Sequence, residues 1–148
     1  MVPGEREEIE QWLPGLRGKE WQITSPEDDR YNCLAWALEE TTRVWSPRPD
    51  GYTWPSDVPR DNAISSYQAL FATFGYAATQ DETLEVGQEK VALFARQEPE
   101  HVARQLSSGA WTSKLGQSHD ITHPLRAIEG DLYGSIVLVM ARRNQPRA

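Results

Sequence analysis

The chain has 148 residues, 39% hydrophobic and 25% charged, which is typical of one globular domain. Its formal net charge of −7 argues against nucleic acid as a partner, because phosphate binding needs clustered lysine and arginine. No apolar run approaches the roughly 20 residues of a membrane-spanning helix, and the acidic N-terminus lacks the apolar segment of a signal peptide. We therefore expect a cytoplasmic protein without a membrane partner.

Helical patterns occupy the first half of the chain. Apolar spacing predicts a weakly amphipathic helix over residues 5–13 and a core helix over residues 62–74. A further helix between them begins near Pro26 or, in a second register, near Asn32. Only the second register places Cys33 at the N-terminus of that helix.

The second half of the chain predicts an antiparallel sheet. Ser107-Ser108-Gly109 is a short hairpin signal between two of its strands, and residues 121–129 predict a helical turn or short helix. We expect an α+β fold in which N-terminal helices pack on one face of about four strands. Residues 1–148 form a single domain, with an N-terminal helical extension over 1–20, a core over 21–142 and a frayed tail over 143–148. The predicted strands are residues 90–96, 101–106, 110–115 and 133–142.

Cys33 is the only cysteine, so an internal disulfide is excluded. A thiol at a helix N-terminus faces unpaired N–H groups and the positive end of the helix dipole, which favour the thiolate. A lone cysteine is also among the most buried residue types and often packs as a small hydrophobe. The sequence therefore leaves two interpretations of Cys33 open, one as a nucleophile and one as a core residue.

His101 opens a predicted strand and is a candidate base for Cys33, since an imidazole within hydrogen-bond reach can carry the thiol proton. A third polar group usually orients such an imidazole. The predicted hairpin places residues 114–120 closest to His101, and Asp120 has the best chemistry for an orienting acceptor. The other candidates for this third position are Lys114, Gln117 and Ser118, with Ser113 placed too near the middle of its strand.

Aromatic and polar residues near these positions are candidate substrate contacts. The backbone of Cys33 together with Tyr31 or Asn32 is a candidate oxyanion hole, although asparagine is also a favoured N-cap. Six tryptophans are most simply core wedges, but some are candidates for lining a groove. A proline-rich loop over residues 45–59 is a candidate wall of that groove. The predicted substrate-binding residues are Tyr31, Asn32, Trp36, Trp54 and Trp111.

Metal and anion sites are alternatives with weaker support. His119 and His123 are four residues apart with Asp120 beside them, but no CxxC or HExxH pattern accompanies them. An anion site around the hairpin is a further possibility, and it would be formed by Arg104, Lys114 and Arg126. Each of these residues alone is more simply a solvated strand or helix residue. We expect neither a metal nor another cofactor.

Two segments carry a family resemblance. The run Tyr31-Asn32-Cys33-Leu34-Ala35-Trp36-Ala37 and the later segment from His101 to Gly116 resemble an uncharacterised bacterial domain of unknown function, with YNCxAWA and HxARQL…WTSKLG motifs. Asp120-Ile121-Thr122-His123 is similar to its DIxH element. The likeness covers about residues 21–142 and implies no particular activity.

The order of elements is also similar to the NlpC/P60 and CHAP members of the papain-like superfamily. That resemblance implies a cysteine hydrolase or acyltransferase acting on a peptide or small-molecule amide, ester or thioester. Cys33 would be the nucleophile, His101 the base and Asp120 the orienting residue. The alternative is a non-catalytic binding or interaction domain on the same scaffold, with a protein partner, in which Cys33 and His101 are structural.

Overall fold

Seven antiparallel strands form one sheet in the computed structural model, which describes residues 4–48 and 52–144. Their order across the sheet is β1-β6-β5-β4-β3-β7-β2. The central strands are long, and the edges are closed by strands of two and three residues. The strands are β1 (Gln22–Ile23), β2 (Ala77–Thr79), β3 (Gln88–Ala95), β4 (Pro99–Gln105), β5 (Trp111–Lys114), β6 (Asp120–His123) and β7 (Ser135–Arg143).

Three short helices accompany the sheet: α1 (Glu5–Trp12), α2 (Cys33–Ala37) and α3 (Ile64–Ala72), with 3₁₀ turns at Pro14–Leu16 and Leu125–Ile128. The predictions of helices over 5–13 and 62–74 are confirmed, with ends trimmed by one or two residues. In the described part of the chain, none of the helices has the length and apolarity needed to cross a bilayer.

Strand β3 is buried on both sides and divides the apolar interior in two. Ala92 and Phe94 join a first cluster, while Val91 and Leu93, alternating with them, join a second. The first cluster also holds Ile9, Leu13, Leu16, Trp21, Ala103, Trp111, Leu115, Ile121, Leu125, Ala127, Ile128 and Val139. The second also holds Tyr31, Leu34, Ala35, Ala37, Trp45, Trp54, Val58, Leu70, Phe71, Tyr76, Val102 and Met140.

The predicted α+β arrangement of about four strands under N-terminal helices is wrong. The structure has seven strands and helices on both faces, with α1 on the first cluster and α2 and α3 on the second. The extra strands β1, β2 and β6 have only two to four residues, too few to show a two-residue period. Residues 145–148 of the predicted tail lie outside the described residues, and Arg143 ends β7.

Gly134 lies where the chain turns tightly beside β3. Its φ is +77°, and a Cβ atom there would lie 2.1 Å from the carbonyl oxygen of Ala95. Gly18 has a similar φ of +74° but no atom within 4 Å of the same position. Comparing substitutions at Gly134 and Gly18 therefore distinguishes the effect of steric overlap from that of backbone strain.

We expect Gly134→Ala to lower the free energy of unfolding by ~3 kcal/mol or more, because backbone strain and steric overlap act together. Gly18→Ala should lower the free energy of unfolding by only about 1–2 kcal/mol, because it adds only the strain of a non-glycine residue in the left-handed region. Urea denaturation followed by tryptophan fluorescence measures both. Equal losses in the two variants would contradict the close approach at Gly134.

Candidate functional site

Asn32 sets the start of helix α2 and hence the position of Cys33. Its Oδ1 accepts the backbone N–H of Ala35 at 3.2 Å, which is an N-cap hydrogen bond. The same amide accepts the backbone N–H of Trp45 at 3.2 Å and donates to its carbonyl at 2.8 Å. The register that begins near Asn32 is therefore confirmed, and Cys33 is the first helical residue.

Cys33 is half-buried, and its thiol is held in the protonated form. Burial is the main influence and raises the pKa of Cys33. Backbone hydrogen bonds of Val102, Leu34 and Cys33 itself, and the charge of Lys114, act in the opposite direction without outweighing burial. The helix N-terminus therefore does stabilise the thiolate here, but less than the surrounding protein disfavours it.

His101 is buried and neutral. Its ring stacks on Tyr133, with centroids 4.1 Å apart and planes 13° apart, and its centroid lies 5.7 Å from that of Phe94. Burial, with a smaller effect of His123, lowers the pKa of His101 to about 3. Its Nε2 has no hydrogen-bond partner among the described residues.

Two successive residues of β4, His101 and Val102, contact different apolar clusters. Helix α2 packs on β4, where the backbone of Val102 favours the thiolate of Cys33 and the Val102 side chain joins the second cluster. His101, the preceding residue, contacts Phe94 of the first cluster instead. Since its Nε2 is unpartnered, the imidazole does not accept the thiol proton through that atom in this arrangement.

Asp120 is held by Tyr31. The Tyr31 hydroxyl donates to Asp120 Oδ2 at 2.8 Å, and burial followed by this bond raises the pKa of Tyr31 to about 12. Asp120 pairs across the sheet with Lys114, whose Nζ donates to the carbonyls of Gly116 at 2.9 Å and Ser118 at 2.6 Å. Asp120 Oδ1 is buried without a partner in the described chain. The predicted orienting residue thus belongs to a polar cluster on the face that carries α2.

The predicted substrate-binding tryptophans are packed inside the protein. Trp54 and Trp111 are buried, and Trp54 Nε1 donates to the carbonyls of Val58 and Pro59. Trp36 is half-buried, and its Nε1 donates to Thr112 Oγ1 at 3.0 Å. The indole N–H groups of Trp54 and Trp36 are therefore engaged within the fold.

A buried Ser113–His123 pair was not among the predicted site residues. Ser113 Oγ lies 2.7 Å from His123 Nε2, and His123 Nδ1 lies 2.8 Å from the Pro124 carbonyl. A carbonyl can only accept, so Nδ1 carries the proton and Nε2 accepts from the serine hydroxyl. Burial lowers the pKa of His123 to about 4. Because both side chains are inside the protein, this pair is a structural link between β5 and β6.

The residues considered for metal and anion sites are dispersed. His119, His123 and Asp120 each bond different groups, and they do not form a cluster. Arg104 lies near Glu39, and the predicted anion partner Arg126 pairs with Glu82. Across residues 4–48 and 52–144, ligand atoms of three potential metal-binding side chains come within 4.8 Å of one another only at Glu5, Glu27 and His119.

A cleft of about 520 Å³ lies between the segment before β3 and the β4–β5 hairpin. Leu84 and Val86 on its rim are largely exposed, which is unusual for apolar side chains grouped together. Its volume is within the range of small-molecule sites. Cys33, His101 and Asp120 are not among its lining residues, which are Glu39, Leu84, Glu85, Val86, Gly87, Gln88, Glu89, Arg104, Gln105, Leu106, Ser107 and Asn144.

Comparison with known proteins identifies the domain. The family described as Domain of unknown function (DUF7689) matches residues 22–141. The chain belongs to this family. None of the curated proteins or solved structures compared with this DUF7689 member matches it. The family region contains Cys33, His101 and Asp120, whereas α1 precedes it.

Burial of the two neutral histidines predicts acid sensitivity of the DUF7689 domain. The unfolded chain binds a proton at each near pH 6.5, while the folded pKa values are about 3 for His101 and about 4 for His123. Stability is therefore complete above pH 6.5 and falls as the pH is lowered, by up to about 1.4 kcal/mol per pH unit for each histidine.

We expect His101→Phe, which keeps an aromatic ring on Tyr133, to reduce the fall in unfolding free energy between pH 6 and pH 4. Urea denaturation across this range measures the dependence, and the difference at pH 8 reports the packing change alone. Parallel curves for wild type and variant would show that His101 is not neutral in the folded state.

Proposed function

We propose that this DUF7689 member is a non-catalytic binding domain in which Cys33 and His101 have structural roles. The observation that carries the proposal is the position of His101, which stacks on Tyr133 and whose Nε2 has no partner among the described residues. The thiol of Cys33 is also kept protonated, because burial raises its pKa. A catalytic thiol instead needs a base within hydrogen-bond reach and a lowered pKa.

The cleft beside the β4–β5 hairpin is the proposed binding surface. It combines exposed apolar side chains, Leu84 and Val86, with the polar groups of Gln105 and Ser107. Small-molecule and peptide sites commonly combine apolar walls with a few polar groups that orient the ligand. We place the domain in the cytoplasm, where reducing conditions keep Cys33 as a thiol.

A cysteine hydrolase or acyltransferase of papain-like type is the second candidate. Two observations favour it: Cys33 is the first residue of α2, and the Tyr133 ring stacked on His101 lies within electrostatic reach of Cys33. Movement of Tyr133 would have to bring the imidazole to the sulfur before Cys33 could attack an amide, ester or thioester. Asp120 would also have to give up its hydrogen bond with Tyr31 and form one with His101.

Alkylation by iodoacetamide distinguishes the two candidates, and Cys33 supplies the only signal. We expect alkylation at pH 7 to be at least about tenfold slower than that of N-acetylcysteine, because the raised pKa keeps the thiol of the half-buried Cys33 protonated. His101→Phe should leave the rate unchanged within about twofold, since the imidazole does not activate the sulfur. Guanidinium chloride should restore the rate of a free thiol.

Alkylation faster than the free thiol at pH 6–7, and slowed in His101→Ala, would contradict the binding-domain proposal and establish Cys33 as an activated nucleophile. Mass spectrometry of the labelled protein reads out both rates.

A fragment screen by NMR tests the binding surface. We expect shift changes to concentrate at Leu84, Val86 and Ser107, because these side chains line the cleft. Val86→Ser should weaken the best fragment by about tenfold, since it removes an apolar contact from the rim. Val137→Ser, at another exposed valine that lies on β7 and outside the cleft lining, is the control and should leave affinity unchanged. Shifts centred on Cys33 instead would contradict the assignment of the cleft.

A further inference from the structure

The side chains of Glu5, Glu27 and His119 converge from three segments that are distant in sequence. His119 Nε2 lies 3.5 Å from Glu5 Oε1 and 3.7 Å from Glu27 Oε1. Glu5 is in the first turn of α1, Glu27 is in the segment that leads to α2, and His119 precedes β6. We propose that these three side chains form a zinc site, which is independent of the proposed binding function.

The protonation pattern of His119 leaves one nitrogen free for a metal. Its Nδ1 lies 2.9 Å from the carbonyl of Ser25, and a carbonyl can only accept, so Nδ1 carries the proton. In the neutral ring Nε2 then bears a lone pair directed towards the two carboxylates. Metal-bound histidines usually have this arrangement, in which the second nitrogen donates to a carbonyl or carboxylate.

The distances suit an ion better than a direct contact. Charge-assisted N–H···O bonds are about 2.7–2.9 Å long, so the separations of 3.5 and 3.7 Å are too large for them. Two ligands about 2.1 Å from a tetrahedral zinc ion lie about 3.4 Å apart, close to the observed values. All three ligand atoms are within 4.8 Å of one another. His119 is buried, and its Nε2 faces the carboxylates of Glu5 and Glu27.

Hydrogen bonds fix the segments that carry His119 and Glu5. Asp120 N–H donates to Ser25 Oγ at 3.1 Å, and Leu115 N–H donates to the His119 carbonyl at 2.9 Å. On the α1 side, Arg6 donates to the Trp21 carbonyl at 3.0 Å, which anchors the helix that carries Glu5. Two of the three ligands are therefore held by the fold, which limits the conformational entropy lost when the ion binds.

The ligand types select the ion. One imidazole and two carboxylates suit zinc among the common divalent metals, whereas magnesium and calcium prefer oxygen ligands alone. Three protein ligands leave a fourth tetrahedral position for water or another small ligand. The Glu27 side chain is 71% exposed, so the ion has a path from solvent.

Isothermal titration of the metal-free full chain with zinc chloride tests the site. We expect one ion per chain, and at least a tenfold higher Kd for Glu27→Gln. Glu27 is exposed, so this variant should fold normally. Asp29→Asn removes the same charge two residues away at an exposed position and should leave the Kd within twofold. His119→Asn keeps a donor for the Ser25 carbonyl but removes the Nε2 ligand, and it should abolish binding.

Cobalt substitution gives a second readout. Binding of Co²⁺ to a four-coordinate site should produce visible absorption bands, which Glu27→Gln and His119→Asn should weaken or remove. The proposal would be overturned by the absence of saturable zinc binding, by equal affinity in wild type and Glu27→Gln, or by tighter binding of Mg²⁺ than of Zn²⁺. If His119→Asn does not fold, Glu27→Gln and its Asp29→Asn control still decide the outcome.

Discussion

The burial of β3 on both faces is the constraint on which the rest of the structure depends. From Val91 to Ala95 each residue is almost inaccessible to solvent, and successive side chains from Val91 to Phe94 enter opposite clusters. Both faces of the sheet must therefore be covered, by α1 and the 3₁₀ turns on one side and by α2 and α3 on the other. Burial on this scale provides the apolar stabilisation that lets a 148-residue chain fold without a disulfide.

The same two-sided burial determines the chemistry of the polar residues on the neighbouring strands. Adjacent residues Ser113 and Lys114 on β5 serve opposite faces, one bonding His123 and the other the carbonyls of the β5–β6 turn. His101 is neutral for the same reason, because a charge in such a position would lose its hydration. These groups therefore act mainly as buried hydrogen-bonding or aromatic contacts, and reactive chemistry needs positions closer to solvent.

Local features of the fold could be predicted from sequence, and pairings between distant segments could not. The Asn32 cap depends on neighbours within three residues, so a start of α2 at Cys33 was one of the two registers that the sequence offered. A two-residue turn at Ser108-Gly109 would pair Arg104 with Ser113, whereas the structure pairs Arg104 with Thr112, one residue away. A shift of one residue exchanges the two faces of a strand, so the predicted proximity of His101 and Asp120 had no reliable basis. Asp120 accepts a hydrogen bond from Tyr31, which lies 89 residues earlier in the chain. No local sequence pattern indicates a contact of this kind.

The position of α1 connects the fold to the proposed metal site. Residues 1–20 were expected to be an extension of the core, and α1 lies before the region matched by the DUF7689 family. Ile9, Leu13 and Leu16 are nevertheless buried in the first cluster. This segment is therefore part of the apolar core and not an appendage to it. Of the three proposed ligands, Glu5 alone comes from this segment. A family member without an equivalent helix would retain at most two of the ligands, and zinc binding is therefore a property of the chain with α1 docked rather than of the family region alone.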